Sequence, residues 1–142
     1  MKIAFACDHG GFHVKDNIKN FLLANEHVIM DFGCYSPNSV DYPDHGIPAV
    51  ESVVNGEADR AILVCGTGLG MSMLANKKQG IRATLVYDQE TARLCRDHNN
   101  ANVICLGGRK SSNEEILDYI KIWLETPFSD DKRHVKRLAK FE

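Results

Sequence analysis

The five cysteines, Cys7, Cys34, Cys65, Cys95 and Cys105, include no CxxC pair. Their odd number and scattered spacing exclude a disulfide framework and a zinc knuckle, and reduced thiols in a cytosol are the expectation. A large excess of charge of one sign is also missing. Seventeen basic and nineteen acidic residues leave a formal net charge of −2, which argues against the basic field of a nucleic-acid binder. No apolar run approaches a membrane span. The opening MKIAFACDHGG is too short an apolar stretch for a signal peptide. There is no repeat, low-complexity tract or linker. The expectation is a cytoplasmic protein without a membrane or nucleic-acid partner.

What remains is a balanced chain. Its 142 residues, 44% of them hydrophobic, suggest one domain over 1–142 that buries a core without staples. Short apolar runs alternate with amphipathic stretches. Strands are expected at Lys2–Cys7, His27–Asp31, Arg60–Val64, Arg82–Val86 and Val103–Leu106. Helices are expected at Phe12–Asn25, Gly46–Val54, Met71–Lys78, Asp88–Asp97 and Asn113–Glu125, with a short basic one at Asp131–Lys140. Tyr35–His45 reads as a loop. Strand–helix alternation predicts an α/β fold: a Rossmann-like three-layer sandwich around a five-stranded parallel sheet. Ligands of such sheets bind at the carboxyl ends of the strands.

Three polar segments follow apolar strands directly and so share that edge: Asp8-His9, Cys65–Gly70 and Gly107–Arg109. Cys65-Gly66-Thr67-Gly68-Leu69-Gly70 leaves backbone N–H groups open to an anion at a helix start. The same glycines equally suit a tight strand–helix turn. No Lys-Ser/Thr follows for a Walker loop, and the spacing departs from GxGxxG. Cys65 is a candidate base or nucleophile, or a small buried hydrophobe. Asp8 and His9 could meet sugar hydroxyl and phosphate, or Asp8 could cap a helix. His98-Asn99-Asn100 could move protons or cap a helix end. It leads into the fifth strand from a helix end, so it reaches the site by a bend or serves a neighbouring subunit. Arg133 and Arg137, four apart, could grip one phosphate or lie on a solvated basic face. Arg109 is a third phosphate candidate.

Together these segments resemble the ribose-5-phosphate isomerase type B (LacA/RpiB) family. The matching pieces are CDHGG at Cys7–Gly11, DYPDHG at Asp41–Gly46, CGTGLGMSMLANKKQGIRA at Cys65–Ala83, HNNANVICLGGR at His98–Arg109 and RHVKR at Arg133–Arg137. They occur in the family's order and span essentially the whole chain.

The resemblance implies an aldose–ketose isomerase of the non-oxidative pentose phosphate branch, using no metal and no other cofactor. It would interconvert ribose 5-phosphate and ribulose 5-phosphate through an enediolate. Cys65 would be the base moving the proton between C2 and C1. Gly66, Gly68, Leu69 and Gly70 would line the anion hole, and Thr67 would assist beside O1 and O2. His98 would open the furanose ring, and Asp8 and Asn99 would bind the sugar. His9, Arg133, Arg137 and Arg109 would hold the phosphate. Family members are dimers or tetramers with sites at the subunit interface, so this chain would be a homodimer or homotetramer in which His98 and Asn99 come from the partner chain. The galactose-6-phosphate branch divides the catalytic cysteine and the His-Asn pair between two different subunits. This chain carries both, as a self-sufficient enzyme would, although an allose-6-phosphate enzyme would keep the same residues. A non-catalytic sugar-phosphate sensor would need no acid–base pair. A nucleotide-binding domain is disfavoured, because only Asp31 stands near a ribose-binding position.

Overall fold

The computed structural model describes all of residues 1–142. Five strands form one sheet: β1 Lys2–Cys7, β2 Val28–Asp31, β3 Arg60–Cys65, β4 Ala83–Leu85 and β5 Val103–Gly107. All pairings are parallel, in the order β2-β1-β3-β5-β4. A 3-10 turn at Phe12–Val14 leads into α1 Lys15–Ala24. The other helices are α2 Tyr42–Val54, α3 Leu69–Ala75, α4 Gln89–Asp97, α5 Asn113–Glu125 and α6 Lys132–Leu138.

Parallel strands covered on both faces are apolar along their whole length, and side chains alternate between faces. Ile3, Phe5 and Cys7 of β1, with Ile62 and Val64 of β3 and Ile104 and Leu106 of β5, pack against α1, α4 and α5. Trp123 of α5 is fully buried in that layer. Ala4, Ala6, Ala61, Leu63, Cys65, Val103 and Cys105 point the other way, onto α2 and α3. Small residues dominate this second layer, which lets the short α3 lie close to the sheet. The result is the expected three-layer arrangement. No helix is long and apolar enough to cross a membrane.

The chain leaves β1 outward to β2, then returns to β3 on the other side. Strand order therefore reverses between β1 and β3, and the crevice of such a sheet opens there. The register Cys7↔Val64 and Cys65↔Gly107 brings the ends of β1, β3 and β5 level.

Most element boundaries differ by a residue or more from those expected; the first helix, expected from Phe12, begins at Lys15 after a 3-10 turn. The second helix begins at Tyr42, four residues before Gly46. Pro43 sits in its first turn, where no N–H partner is needed, so a segment rich in turn formers starts a helix. The third helix covers Leu69–Ala75, starting directly at the glycine loop. The fourth strand is only Ala83–Leu85, and the basic helix is Lys132–Leu138.

Candidate active site

The three strand ends meet through glycines. A methyl group on Gly10 would lie 2.6 Å from Gly66 N, and one on Gly108 would lie 2.6 Å from Gly10 O. Only bare backbone lets these loops touch. Asp8 does not cap a helix, because α1 starts after Val14 with no side-chain cap. Asp8 is buried instead, and its Oδ1 accepts the Gly10 N–H at 2.8 Å. His9 Nδ1 accepts the Val40 N–H at 3.2 Å. That contact puts the proton of the neutral ring on Nε2, leaving it free to donate to a ligand.

Cys65 ends β3 and is 5% exposed. Gly68 donates its N–H to the Cys65 sulfur at 3.0 Å. This turn requires the left-handed backbone of Gly68, φ +79°. Thr67 is exposed, and its Oγ1 accepts the Leu69 N–H at 3.3 Å. The N–H groups of Gly66, Thr67 and Gly70 donate to no protein acceptor. The glycines therefore form a turn and also leave an array of open donors around a thiol. Arg109 extends from the same edge: its N–H donates to Gly66 O at 3.1 Å, and its Nη1 would lie 3.5 Å from a methyl on Gly66.

The remaining four cysteines are also buried and reduced. Burial, with Cys34 beside it, pushes the Cys7 thiol up to about 12. Burial raises Cys95 to about 11 and pushes Cys105 up as well. These three are packing groups, as expected of thiols in strands and helices.

His98, Asn99, Arg133 and Arg137 lie elsewhere. α4 starts near the carboxyl edge and runs back, so its C-cap His98 stands at the amino edge of the sheet. Nine helical residues span about 13 Å. The four residue steps of β5 cover a similar ~13 Å in the opposite sense. Within one chain, His98 and Cys65 are on opposite edges. His98 meets α6 there: its ring lies 4.2 Å from that of His134, and its Nε2 is 3.6 Å from Asp97 Oδ2. Asn99 is exposed. Arg133 and Arg137 are both exposed on α6, with Arg133 Nε 3.3 Å from Asp131 Oδ2. The candidate residues thus fall into two clusters, one per edge.

Two neighbours were not singled out by the sequence. Tyr42 packs its ring on Gly70, so that a methyl there would lie 2.7 Å from Tyr42 Cζ. His134 is buried between the two α6 arginines in sequence and accepts or donates at Ser129 Oγ, 3.1 Å away. Burial, with His98 next, lowers its pKa from the usual histidine value. Both lay inside quoted motifs, DYPDHG and RHVKR, but neither position carries a pattern of its own. A hollow of about 290 Å³ opens beside Thr67 and Leu69, and a groove of about 630 Å³ lies at the opposite edge along Asn76–Arg82 and the C-terminus. Neither is lined by Cys65. No three His, Cys, Asp or Glu side chains gather to hold a metal ion.

Parallel α/β sheets bind small-molecule ligands at such a switch point, where this chain sets a thiol among open backbone donors. The family model described as Ribose/Galactose Isomerase matches residues 3–141. The putative sugar phosphate isomerase YwlF of Bacillus subtilis is 44% identical over 99% of this chain and 94% of its own length. The galactose-6-phosphate isomerase subunit LacB of Clostridium acetobutylicum is 40% identical over 94% of this chain and 78% of its own. The structure of Clostridium thermocellum ribose-5-phosphate isomerase B matches with a TM-score of 0.96 at 44% identity, covering 99% of this chain and 94% of that one. The chain belongs to this family of aldose–ketose isomerases.

Proposed function

We propose that the protein interconverts D-ribose 5-phosphate and D-ribulose 5-phosphate in the cytoplasm, as a homodimer or homotetramer. The observation that carries this reading is the buried Cys65 set among open backbone N–H groups. Cys65 as thiolate takes the proton from C2 of the open-chain aldose and returns it at C1. The negative charge that develops on O1 and O2 meets the N–H groups of Gly66, Thr67 and Gly70, with Gly68 and Leu69 shaping the turn. Thr67 Oγ1 shuttles the proton between the two oxygens.

Asp8 and His9 bind the sugar and phosphate from the same chain, with Arg109 beside them. The other half-site comes from a second subunit. Its His98 opens the ring as a general acid, its Asn99 holds a hydroxyl, and its Arg133 and Arg137 grip the phosphate in α6. Anchoring the phosphate orients the reacting carbons. The separation of these residues on opposite sheet edges supports the two-subunit site.

The test is ketose formation by the purified protein from ribose 5-phosphate, allose 6-phosphate and galactose 6-phosphate in parallel, with chelator present. Fastest turnover of ribose 5-phosphate supports the proposal. Turnover of a hexose phosphate alone keeps the mechanism and moves the substrate. Binding without turnover replaces the enzyme by a sugar-phosphate sensor.

A further inference from the structure

Arg96 is a buried cation with no anion beside it. It is 6% exposed and takes part in no salt bridge. Its guanidinium meets only neutral oxygens. Nη1 donates to Asn100 Oδ1 and to Ala101 O, both at 2.8 Å, and Nε donates to Thr126 O at 3.4 Å. A buried charge without a counter-ion is less stabilising than an apolar residue of similar volume. Stability therefore gives a poor account of it.

The acceptors give a better one. Asn100 and Ala101 close the turn that carries His98 and Asn99. Asn100 stands in the left-handed region at φ +49°, which a residue with a Cβ disfavours. Arg96 fixes that turn through the Asn100 side chain and the next carbonyl. Thr126 caps the end of α5 and opens the connection to α6, which bears Arg133 and Arg137. One side chain thus ties that turn to the end of α5. Lysine could not do this, because a single ammonium lacks the planar fork that spans three acceptors.

We infer that Arg96 is a positioning residue for the isomerisation, bracing the turn of His98 and Asn99 against the end of α5 so that the ring-opening acid is held in place. The inference rests on the role of His98 proposed above. Arg96 itself touches no substrate.

Two readouts separate this from a structural role. Conversion of ribose 5-phosphate needs ring opening. Deuterium exchange at C1 of ribulose 5-phosphate in D2O needs only the enediolate step at the other half-site. At saturating substrate, Arg96→Met is expected to lower conversion by about 100-fold, the scale of an ångström-level misplacement. C1 exchange stays within about threefold, and Arg96→Lys does not restore conversion. In a His98→Asn background, Arg96→Met costs no further conversion. Asn100→Gly accepts the left-handed backbone, removes the Oδ1 contact and supplies a folded variant if Arg96→Met does not fold. It is expected to lose about tenfold in conversion alone. Equal loss of conversion and exchange, or additivity with His98→Asn, would overturn the inference. Unimpaired conversion by His98→Asn would instead overturn the assignment of the acid, and the positioning role with it.

Discussion

Two inactive variants should make an active mixture. Cys65→Ala removes the base and leaves the amino-edge half-site whole, whereas His98→Asn does the reverse. The two residues lie on opposite edges of one sheet, separated by the ~13 Å length of α4 and of β5. They can meet one substrate only if the two edges come from different subunits. Loss of a general acid–base group costs about 10²–10⁴-fold, so each variant alone falls to about 1% of wild-type activity or less. Random reassociation of equal amounts makes half of the dimers mixed. Each mixed dimer has one site with Cys65 and His98 both intact and one site lacking both. About a quarter of all sites are then functional, and activity rises to about 25% of wild type by the symmetry of the dimer. The assay is ribose 5-phosphate isomerisation after co-expression or after mixing under subunit exchange. A mixture that stays at the mean of its two components, with mixed dimers demonstrated by mass spectrometry, would place Cys65 and His98 in the same site of one chain. The two-subunit argument would then fail.

Gly68→Ala should destabilise the fold by about 3 kcal/mol, combining a left-handed residue with overpacking. The new methyl would lie 2.5 Å from Leu85 Cδ1 and 3.0 Å from the Leu106 carbonyl carbon. Urea denaturation at fixed protein concentration measures it, and a loss under about 0.5 kcal/mol would refute the strain argument. Asp31 carries a pH-dependent share of stability. Burial favours its neutral form, but hydrogen bonds from Lys19, Gly33 and Lys15 outweigh that and hold its carboxyl below the usual value. Its contribution is present above about pH 4, where the unfolded carboxyl is ionised, and is lost as pH falls through the depressed folded value. Asp31→Asn strips the buried Lys15 of its partner 3.0 Å away. It should cost about 3 kcal/mol at pH 7 and flatten the acid limb of a stability–pH curve. An unchanged acid limb would assign that dependence elsewhere. Arg137→Met should raise KM for ribose 5-phosphate by about 10- to 100-fold, the worth of a charge-assisted phosphate contact. kcat should change little, and an unchanged KM would remove Arg137 from the phosphate grip.

How much of this the sequence disclosed depended on the kind of interaction. The strands were legible because doubly covered parallel strands are apolar throughout, as KIAFAC and RAILVC are. The start of α2 was not, since Tyr42-Pro43-Asp44 has the composition of a turn and starts a helix only through proline's place in its first turn. The carboxyl-edge residues could be grouped from chain order alone, because each directly follows a strand of known direction. His98 could be placed on the opposite edge by the same logic: a helix returning from β4 must end there. Tyr42 and Arg96 escaped because their roles are contacts between distant segments. An arginine in the last turn of a helix ordinarily complements the helix dipole at the surface, and nothing in LCRDHNNAN distinguishes one that turns inward to three oxygens. Residues that act through their own position along the chain leave a pattern. Residues that act by joining segments become visible only when the segments are in place, and the proposed two-subunit site would repeat this principle one level up: one copy of the fold keeps Cys65 and His98 on opposite edges of its sheet.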